Sequence, residues 1–345
     1  MKVLLYSPVF LPHVGGLEYN VAHLAESLAA RGVEIVVLTR TPSAVPDRFP
    51  FQVVRRPTAW RFLALVRWCD VFFQANVSLR GLWPLLLVRR PWVVSHHGWY
   101  SRPDGSRAWQ DRLKRLLLRR AAASIGVSQA VADDLETPTI VIPNTYRETL
   151  FRRLRGVNRD RDLIFVGRLV SDKGADLLLE ALARLAEAGR RPRLAIVGGG
   201  PEEEPLRAQA RRLGLDGQVE FLGVRSGEEL VRLLNAHRIL VVPSRYNEPF
   251  GIVALEGIAC GCVVVGSQGG GLKEAIGPCG PTFRNGDVTE LAARLEELLA
   301  EPVRLEEYRA HAALHLERHA TRQTVDAYQA VLIAAAGTSP AGAPR

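Results

Sequence analysis

A chain of 345 residues, 47% hydrophobic and 23% charged, fits two domains of moderate size and is not a disordered polymer. Its formal charge of +9, almost wholly from arginine, suits an anionic partner without choosing among nucleotide, nucleic acid and membrane surface. The four cysteines lack the spacing of a disulfide framework or a zinc site, and no stretch approaches the ~18 apolar residues of a membrane span. The apolar run at residues 3–6 is too short for a signal peptide, so reduced thiols in a cytoplasmic protein are expected.

Residues 3–6 read as a strand, followed by a loop ending in His13-Val14-Gly15-Gly16. Residues 17–31 read as a helix with Val21, Leu24 and Leu28 on one stripe, and residues 33–38 as the next strand. In this β-α-β unit the pair Gly15-Gly16 either lets backbone approach a phosphate at the helix N-terminus or simply permits a tight turn. It is not a G-x-G-x-x-G fingerprint. Residues 41–62 read as loop. Strands at 71–73 and 92–94 follow, the second running into Ser95-His96-His97-Gly98, where a strand's carboxyl end in an open α/β sheet places ligand contacts. The two histidines are adjacent and point apart, which does not suit one metal ion. Residues 102–120 alternate Arg112, Lys114, Arg115, Arg119 and Arg120 with leucines, beside Trp99, Tyr100 and Trp109. That pattern fits an anionic membrane interface and equally a solvated face of a packing helix. A strand at 125–128, a helix at 129–135 and a strand at 140–142 close this half.

The polar stretch 151–162 is the expected linker, dividing the chain into 1–155 and 156–345. Beyond it the pattern is regular: strands at 163–166, 194–197, 219–222, 239–242 and 263–265, with helices between. The strands are continuous apolar runs, as a parallel sheet covered on both faces requires. After the first of them, Arg168 and Lys173 share one short loop and are either a surface pair or cations for a diphosphate. After the fourth comes R-Y-N-E-P-F-G-I-V-A-L-E at 245–256. If helical throughout, Glu248 and Glu256 would stand about 12 Å apart along the axis, too far to share a proton. They are either solvated carboxylates or two contacts for one elongated ligand. No acidic D-x-D loop, Walker A, G-x-S-x-G or C-x-x-C occurs.

The segments V-G-G at 14–16, H-H-G at 96–98, G-V-S at 126–128, I-P-N at 142–144, F-V-G-R-L…D-K-G at 165–174, I-V-G-G-G-P at 196–201, V-E-F-L-G at 219–223, V-P-S at 242–244 and N-E-P-F-G-I-V-A-L-E-G at 247–257 occur in order. Together they resemble the retaining glycosyltransferases of family 4, over residues 1–335 and with the second half the more specific. The resemblance implies an α/β chain of the GT-B fold: two Rossmann-like β/α/β domains facing each other across a deep cleft. The first would bind the acceptor and the second the nucleotide sugar, with a last helix (about 316–335) crossing back to the first. Glu248 and Glu256 match the two glutamates of the family's E-x7-E motif, contacting the transferred sugar and the ribose. Pro249, Phe250 and Gly251 lie between them, the last two offering backbone N–H groups to the sugar. Arg168 and Lys173 match the diphosphate-binding pair, with Gly15-Gly16 approaching from the other domain and Arg225 beside the base. His97 matches the histidine near the sugar, and His96 beside it leaves open which imidazole faces the ligand. The loop Asn144-Thr145-Tyr146-Arg147 departs from the family's usual N-G-V-D.

The expected activity is therefore retaining, metal-independent transfer of a hexose-type sugar from a UDP- or GDP-sugar to an acceptor hydroxyl, in polysaccharide, lipopolysaccharide or glycolipid synthesis. Neither a cofactor nor a nucleic-acid partner is expected. Residues 102–120 would touch an anionic membrane, placing the protein in the cytoplasm or on the inner face of the plasma membrane. A GT-B sugar-nucleotide epimerase and a non-catalytic nucleotide- or nucleic-acid-binding module are the alternatives.

Overall fold

The computed structural model describes residues 1–13, 15–101 and 108–337. Val14 of the glycine loop and the first part of the basic segment, 102–107, lie outside the described residues, as do 338–345. The chain divides into two compact units, Met1–Asn144 together with the chain from Arg322, and Thr145–Thr321.

In the first unit β1 (Lys2–Ser7), α1 (Gly16–Ala30), β2 (Glu34–Thr39), β3 (Gln52–Arg55), α2 (Ala59–Trp68), β4 (Val71–Ala75), α3 (Leu79–Leu82), β5 (Trp92–His96), α4 (Trp109–Leu118), β6 (Ala123–Gly126), α5 (Gln129–Asp134) and β7 (Ile140–Val141) follow in order. Among the described residues they build a seven-stranded parallel sheet, ordered β3-β2-β1-β4-β5-β6-β7. Strand order reverses between β1 and β4, and in such sheets the crevice outside the strands' carboxyl ends at that point receives ligands. The loop-like reading of 41–62 missed β3 and α2. The strand β3 is a half-buried edge without a full apolar run, and α2 is opened by Thr58, whose hydroxyl accepts the Arg61 N–H.

The second unit runs β8 (Arg161–Val166), α6 (Ala175–Glu187), β9 (Leu194–Val197), α7 (Glu203–Arg212), β10 (Val219–Gly223), α8 (Gly227–Ala236), β11 (His237–Val242), α9 (Ile252–Ala259), β12 (Val263–Ser267), α10 (Leu272–Ile276), β13 (Thr282–Phe283), α11 (Val288–Ala300), α12 (Pro302–Ala310) and α13 (Ala312–Arg318). Its six-stranded parallel sheet, ordered β10-β9-β8-β11-β12-β13, switches between β8 and β11. Those are the strands that precede Arg168-Lys173 and Glu248. Buried Ile239, Val241, Val263 and Val265 join leucines of α6 and α11 in one core.

The division differs from the expected 155/156. The arginine-rich stretch 151–162 is sewn into the second unit: the Phe151 side chain is buried, the Leu154 N–H donates to Asn235 Oδ1 (2.9 Å), and the Asn235 amide donates to the Arg152 carbonyl (2.9 Å). The Arg159 guanidinium donates to the carbonyls of Leu234, His237 and Cys260. Guanidinium-to-carbonyl bonds let a polar sequence serve as structure, which composition alone does not reveal.

The last helix, α14 (Thr321–Gly337), buries Val325, Tyr328 and Leu332 in the core of the first unit, among residues of β1, β2 and β4. Its Asp326 carboxylate pairs with Arg31 at 2.6 Å.

Candidate active site

In the second unit the loops after β8 and β11 are held against each other by backbone. Gly174 has φ +68, and a Cβ there would stand 2.0 Å from the Pro243 carbonyl oxygen, so only glycine lets the two loops approach. The N–H groups of Arg245 and Tyr246 both donate to the Asp172 carbonyl, and the Arg245 guanidinium forks onto both carboxylate oxygens of Asp176. This brings Lys173 to Glu248: Nζ donates to Oε1 over 2.6 Å. The fully buried Ser244 hydroxyl donates to the same oxygen over 2.7 Å. Glu248 is thus a buried carboxylate whose Oε1 is doubly engaged, while Oε2 has no hydrogen bond among the described residues. Ser244 was not singled out from sequence as a site residue; the signal was V-P-S directly after the strand.

Glu248 is not helical. It forms a parallel bridge with Gly270, at φ +69, where a Cβ would meet the Glu248 carbonyl oxygen at 2.2 Å. Helix α9 begins four residues later at Ile252, so the axial spacing expected for Glu248 and Glu256 does not apply. Helix formation waits for Gly251, because Asn247 and Glu248 are held extended against the 269–271 glycines. Half-buried Pro249 and the backbone of Phe250 and Gly251 lie between Glu248 and the first amides of α9, which have no acceptor within the helix. The Phe250 side chain turns into the protein, its ring 5.5 Å from that of His319. Glu256 sits on the second turn of α9, about 6 Å along the axis from its start. Burial pushes its carboxyl up to about 7, opposed by the positive charge of Arg147. That arginine belongs to the loop that departs from the family pattern.

Arg168 is exposed and makes no side-chain hydrogen bond or ion pair among the described residues. Arg225 lies in the turn between β10 and α8, and its side chain pairs with Glu229 of α8, Nε to Oε1 3.1 Å.

In the first unit Gly15 precedes α1, and Gly16 is its exposed first residue. A third group occupies this helix start. Glu18 is buried, its carboxylate folds back so that a Cβ on Gly15 would meet Oε2 at 2.4 Å, and Oε1 lies 2.6 Å from His13 Nδ1. A carboxylate in the first turn favours the helix and competes there with an incoming anion.

The two histidines have separate roles. His96 is fully buried at the end of β5, with Nδ1 2.9 Å from the Tyr100 hydroxyl and Nε2 3.0 Å from Ser124 Oγ. Because the Tyr100 oxygen already accepts the Val77 N–H, its proton donates to Nδ1 and His96 Nε2–H donates to Ser124. Both nitrogens are spent, and burial lowers the imidazole to about 3. His97 has its backbone N–H on Asn76 Oδ1 (2.8 Å) and its Nε2 2.9 Å from Ser95 Oγ, while Nδ1 is buried without a partner among the described residues. Burial lowers it to about 4, so it is a neutral imidazole with one nitrogen uncommitted. Ser95 also hydrogen-bonds the Tyr328 hydroxyl from α14.

The sequence model described as "Glycosyltransferase Family 4" matches residues 14–146, and "Glycosyl transferases group 1" matches 147–314. A D-inositol 3-phosphate glycosyltransferase of Frankia alni is 32% identical over 84% of this chain and 86% of its own length. A glycogen synthase of Mycobacterium tuberculosis is 29% identical over 91% of this chain and 89% of its own. Among solved structures, Anabaena HepE in complex with UDP and glucose superposes with a TM-score of 0.80 at 23% identity, over 96% of this chain and 99% of that one. Two Rossmann-like units of parallel strands and alternating helices constitute the GT-B fold. By fold, matched segments and full-length relatives, the chain belongs to glycosyltransferase family 4.

Proposed function

We propose that the protein transfers a hexose-type sugar from a UDP- or GDP-sugar to an acceptor hydroxyl, with retention and without a metal ion, in the synthesis of a polysaccharide, lipopolysaccharide or glycolipid. The carrying observation is the Lys173–Glu248–Ser244 constellation at the head of α9, at the switch point of the second sheet. It sets a fixed cation, a held carboxylate and free helix amides side by side, the donors and acceptors that a sugar diphosphate presents in reverse. In the step itself the C1–phosphate bond breaks, the acceptor oxygen bonds C1 on the same face, and the acceptor proton passes to the departing phosphate oxygen. Charge grows on that phosphate, and Lys173 and Arg168 would bind it more strongly as it does. Glu256 would hold the ribose, and His97 would face the sugar.

The names of the relatives, a glycogen synthase and an inositol phosphate glycosyltransferase, are consistent with a carbohydrate or polyol acceptor. The cytoplasmic face of an anionic membrane is the proposed place of work. Trp109 (69% exposed) and Leu116 (58%) of α4 stand in solvent, and Arg112, Arg119 and Arg120 of the same segment have no side-chain hydrogen bond or ion pair among the described residues. Arg115 and Lys114 serve the fold instead: Arg115 is buried on Asp134, and Lys114 bridges to Asp111 and covers the Tyr100 ring. Among the described residues no helix is long and apolar enough to cross a membrane.

The test is incubation with a panel of UDP- and GDP-sugars with and without oligosaccharide, polyol and glycolipid acceptors, following product and its anomeric configuration by NMR. Transfer with retention, undiminished by a chelator, is expected. Conversion of donor without acceptor would replace the proposal by epimerisation, and inversion would remove the same-face step.

A further inference from the structure

The first unit contains an apolar concavity lined by neither His97 nor the Gly15-Gly16 pair. It opens between α3 with the short 3-10 turn after it and α4, at the amino ends of β5 and β6, with a volume of about 520 Å³. That is the size range of sites for small organic ligands, roughly 300–1,000 Å³. Its walls are apolar, chiefly Leu82, Leu86, Leu113 and Leu117, and Leu86 is 79% exposed. Its rim carries Arg89 and Arg120, neither of which has a side-chain hydrogen bond or ion pair among the described residues. Arg90, by contrast, is committed to the carbonyls of Arg67 and Arg89.

The residues of β5 from Trp92 to His96 span about 13 Å, so the groove lies at the opposite edge of the sheet from His97. A molecule bound there cannot react at His97. It can hold the protein at a surface.

We infer that this groove seats one acyl chain of an anionic bilayer lipid, with the phosphate on Arg89 and Arg120. Two free cations at the mouth of an apolar slot complement an amphiphile whose charge adjoins its tail. A free phosphate would leave the slot empty, and a neutral lipid would leave both arginines unused. The exposed apolar side chains of α4 continue the same face, so seating the chain and laying that helix on the headgroup layer are one act. The inference rests on the membrane-surface part of the function proposed above and gives it a defined anchoring site.

The test is flotation of the full chain with phosphatidylcholine vesicles doped with phosphatidylglycerol, against phosphatidylcholine alone and with soluble glycerol phosphate as competitor. Three variants decide. Arg89→Gln/Arg120→Gln removes the rim charge and is expected to weaken binding about 25-fold, at about fivefold per cation. Leu86→Gln/Leu113→Gln alters two solvent-facing wall positions and should weaken it severalfold. Ala122→Phe narrows the groove while keeping every charge and adding apolar surface. Seating of a chain requires it to weaken binding, whereas adsorption of a basic apolar face predicts unchanged or stronger binding. Melting by circular dichroism and thermal protection by UDP, read in all variants, confirm folding. Unaltered binding in Ala122→Phe overturns the groove and leaves the membrane reading standing. Failure of the native chain to float with anionic vesicles overturns both, as does full competition by glycerol phosphate for the groove.

Discussion

Replacing Lys173 by Met keeps an unbranched apolar stem and deletes the ammonium paired with Glu248. The bond is short, 2.6 Å, and Glu248 is nearly buried, so a charge-assisted hydrogen bond of about 1.5–3 kcal/mol is the starting figure. Lys173 is 27% exposed and solvent screens part of that, leaving about 1–2 kcal/mol. At about 2–4 °C per kcal/mol, melting should fall by about 2–8 °C. The ligand effect is larger and more specific. Donor at 100 times its Kd stabilises the native chain by about 2.7 kcal/mol. Losing the cation against a diphosphate costs at least about 2 kcal/mol, or about 30-fold in affinity, so the same concentration protects the variant by no more than about 0.9 kcal/mol. Scanning fluorimetry with UDP and with UDP-sugar reads both effects. Glu248→Gln is the partner experiment: it should retain protection by UDP and lose the extra protection given by the sugar. The double variant Lys173→Met/Glu248→Gln should melt above Lys173→Met alone, because no uncompensated carboxylate remains. If Lys173→Met is protected by UDP as fully as the native chain, the diphosphate does not sit on this loop and the reasoning fails.

Four further outcomes are expected. Ser244→Ala removes one of two bonds on Glu248 Oε1 and should lower kcat/KM by about 10- to 100-fold, from about 1.5–3 kcal/mol, with Ser244→Thr recovering part; steady-state kinetics on both variants checks this. His96 and His97 are held below the ordinary imidazole value, to about 3 and about 4, so the unfolded chain binds more protons from about pH 6.5 downward. Stability should therefore drop as pH falls from 6.5 toward 4, by about 1.4 kcal/mol per pH unit for each, and His97→Gln should flatten the curve in urea titrations at successive pH values. Glu256 is shifted the other way, from 4.5 to about 7, so its carboxylate costs stability as pH rises through that window. Glu256→Gln should accordingly melt higher than the native chain at pH 8 but not at pH 4.5, while binding UDP less tightly by calorimetry. Tyr328→Phe deletes the hydroxyl that bonds Ser95, the partner of His97 Nε2. Its kcat should fall severalfold with UDP protection unchanged; equal losses in both would mean that the helix has merely been loosened.

The second unit was the more legible in sequence, for a physical reason. Its strands are buried on both faces and read as unbroken apolar runs, and its loops carry charged residues at the switch point of the sheet. What could not be read was the backbone path at Glu248. A helix-like spacing invited a helical reading, whereas the glycines at 269–271, on a later loop of the same unit, hold Glu248 in a strand-like bridge. The rival roles of His96 and His97 were equally hidden, since they depend on Ser124 and Asn76 arriving from other positions in the fold, and on which imidazole the nearby Ser95 and Tyr100 engage. Glu18 was passed over because a first-turn acid is ordinary on any helix, and only its burial beside Gly15 marks it. In the basic segment, charge counting could not separate Arg115, which is spent on Asp134, from Arg120, which has no side-chain partner among the described residues.

The return of α14 to the first unit has a consequence for biosynthesis. Thr145–Thr321 is one uninterrupted stretch and can fold as it leaves the ribosome. The first unit cannot complete its core at its turn in the sequence, because Val325, Tyr328 and Leu332 are translated only after the whole of the other unit. Until then β1, β2 and β4 await a cover, and Ser95 lacks the Tyr328 hydroxyl. A chain that stalled near residue 320 would hold Thr145–Thr321 intact beside a greasy, unfinished partner, so a nascent molecule would gain the Lys173–Glu248 pair before the support of His97.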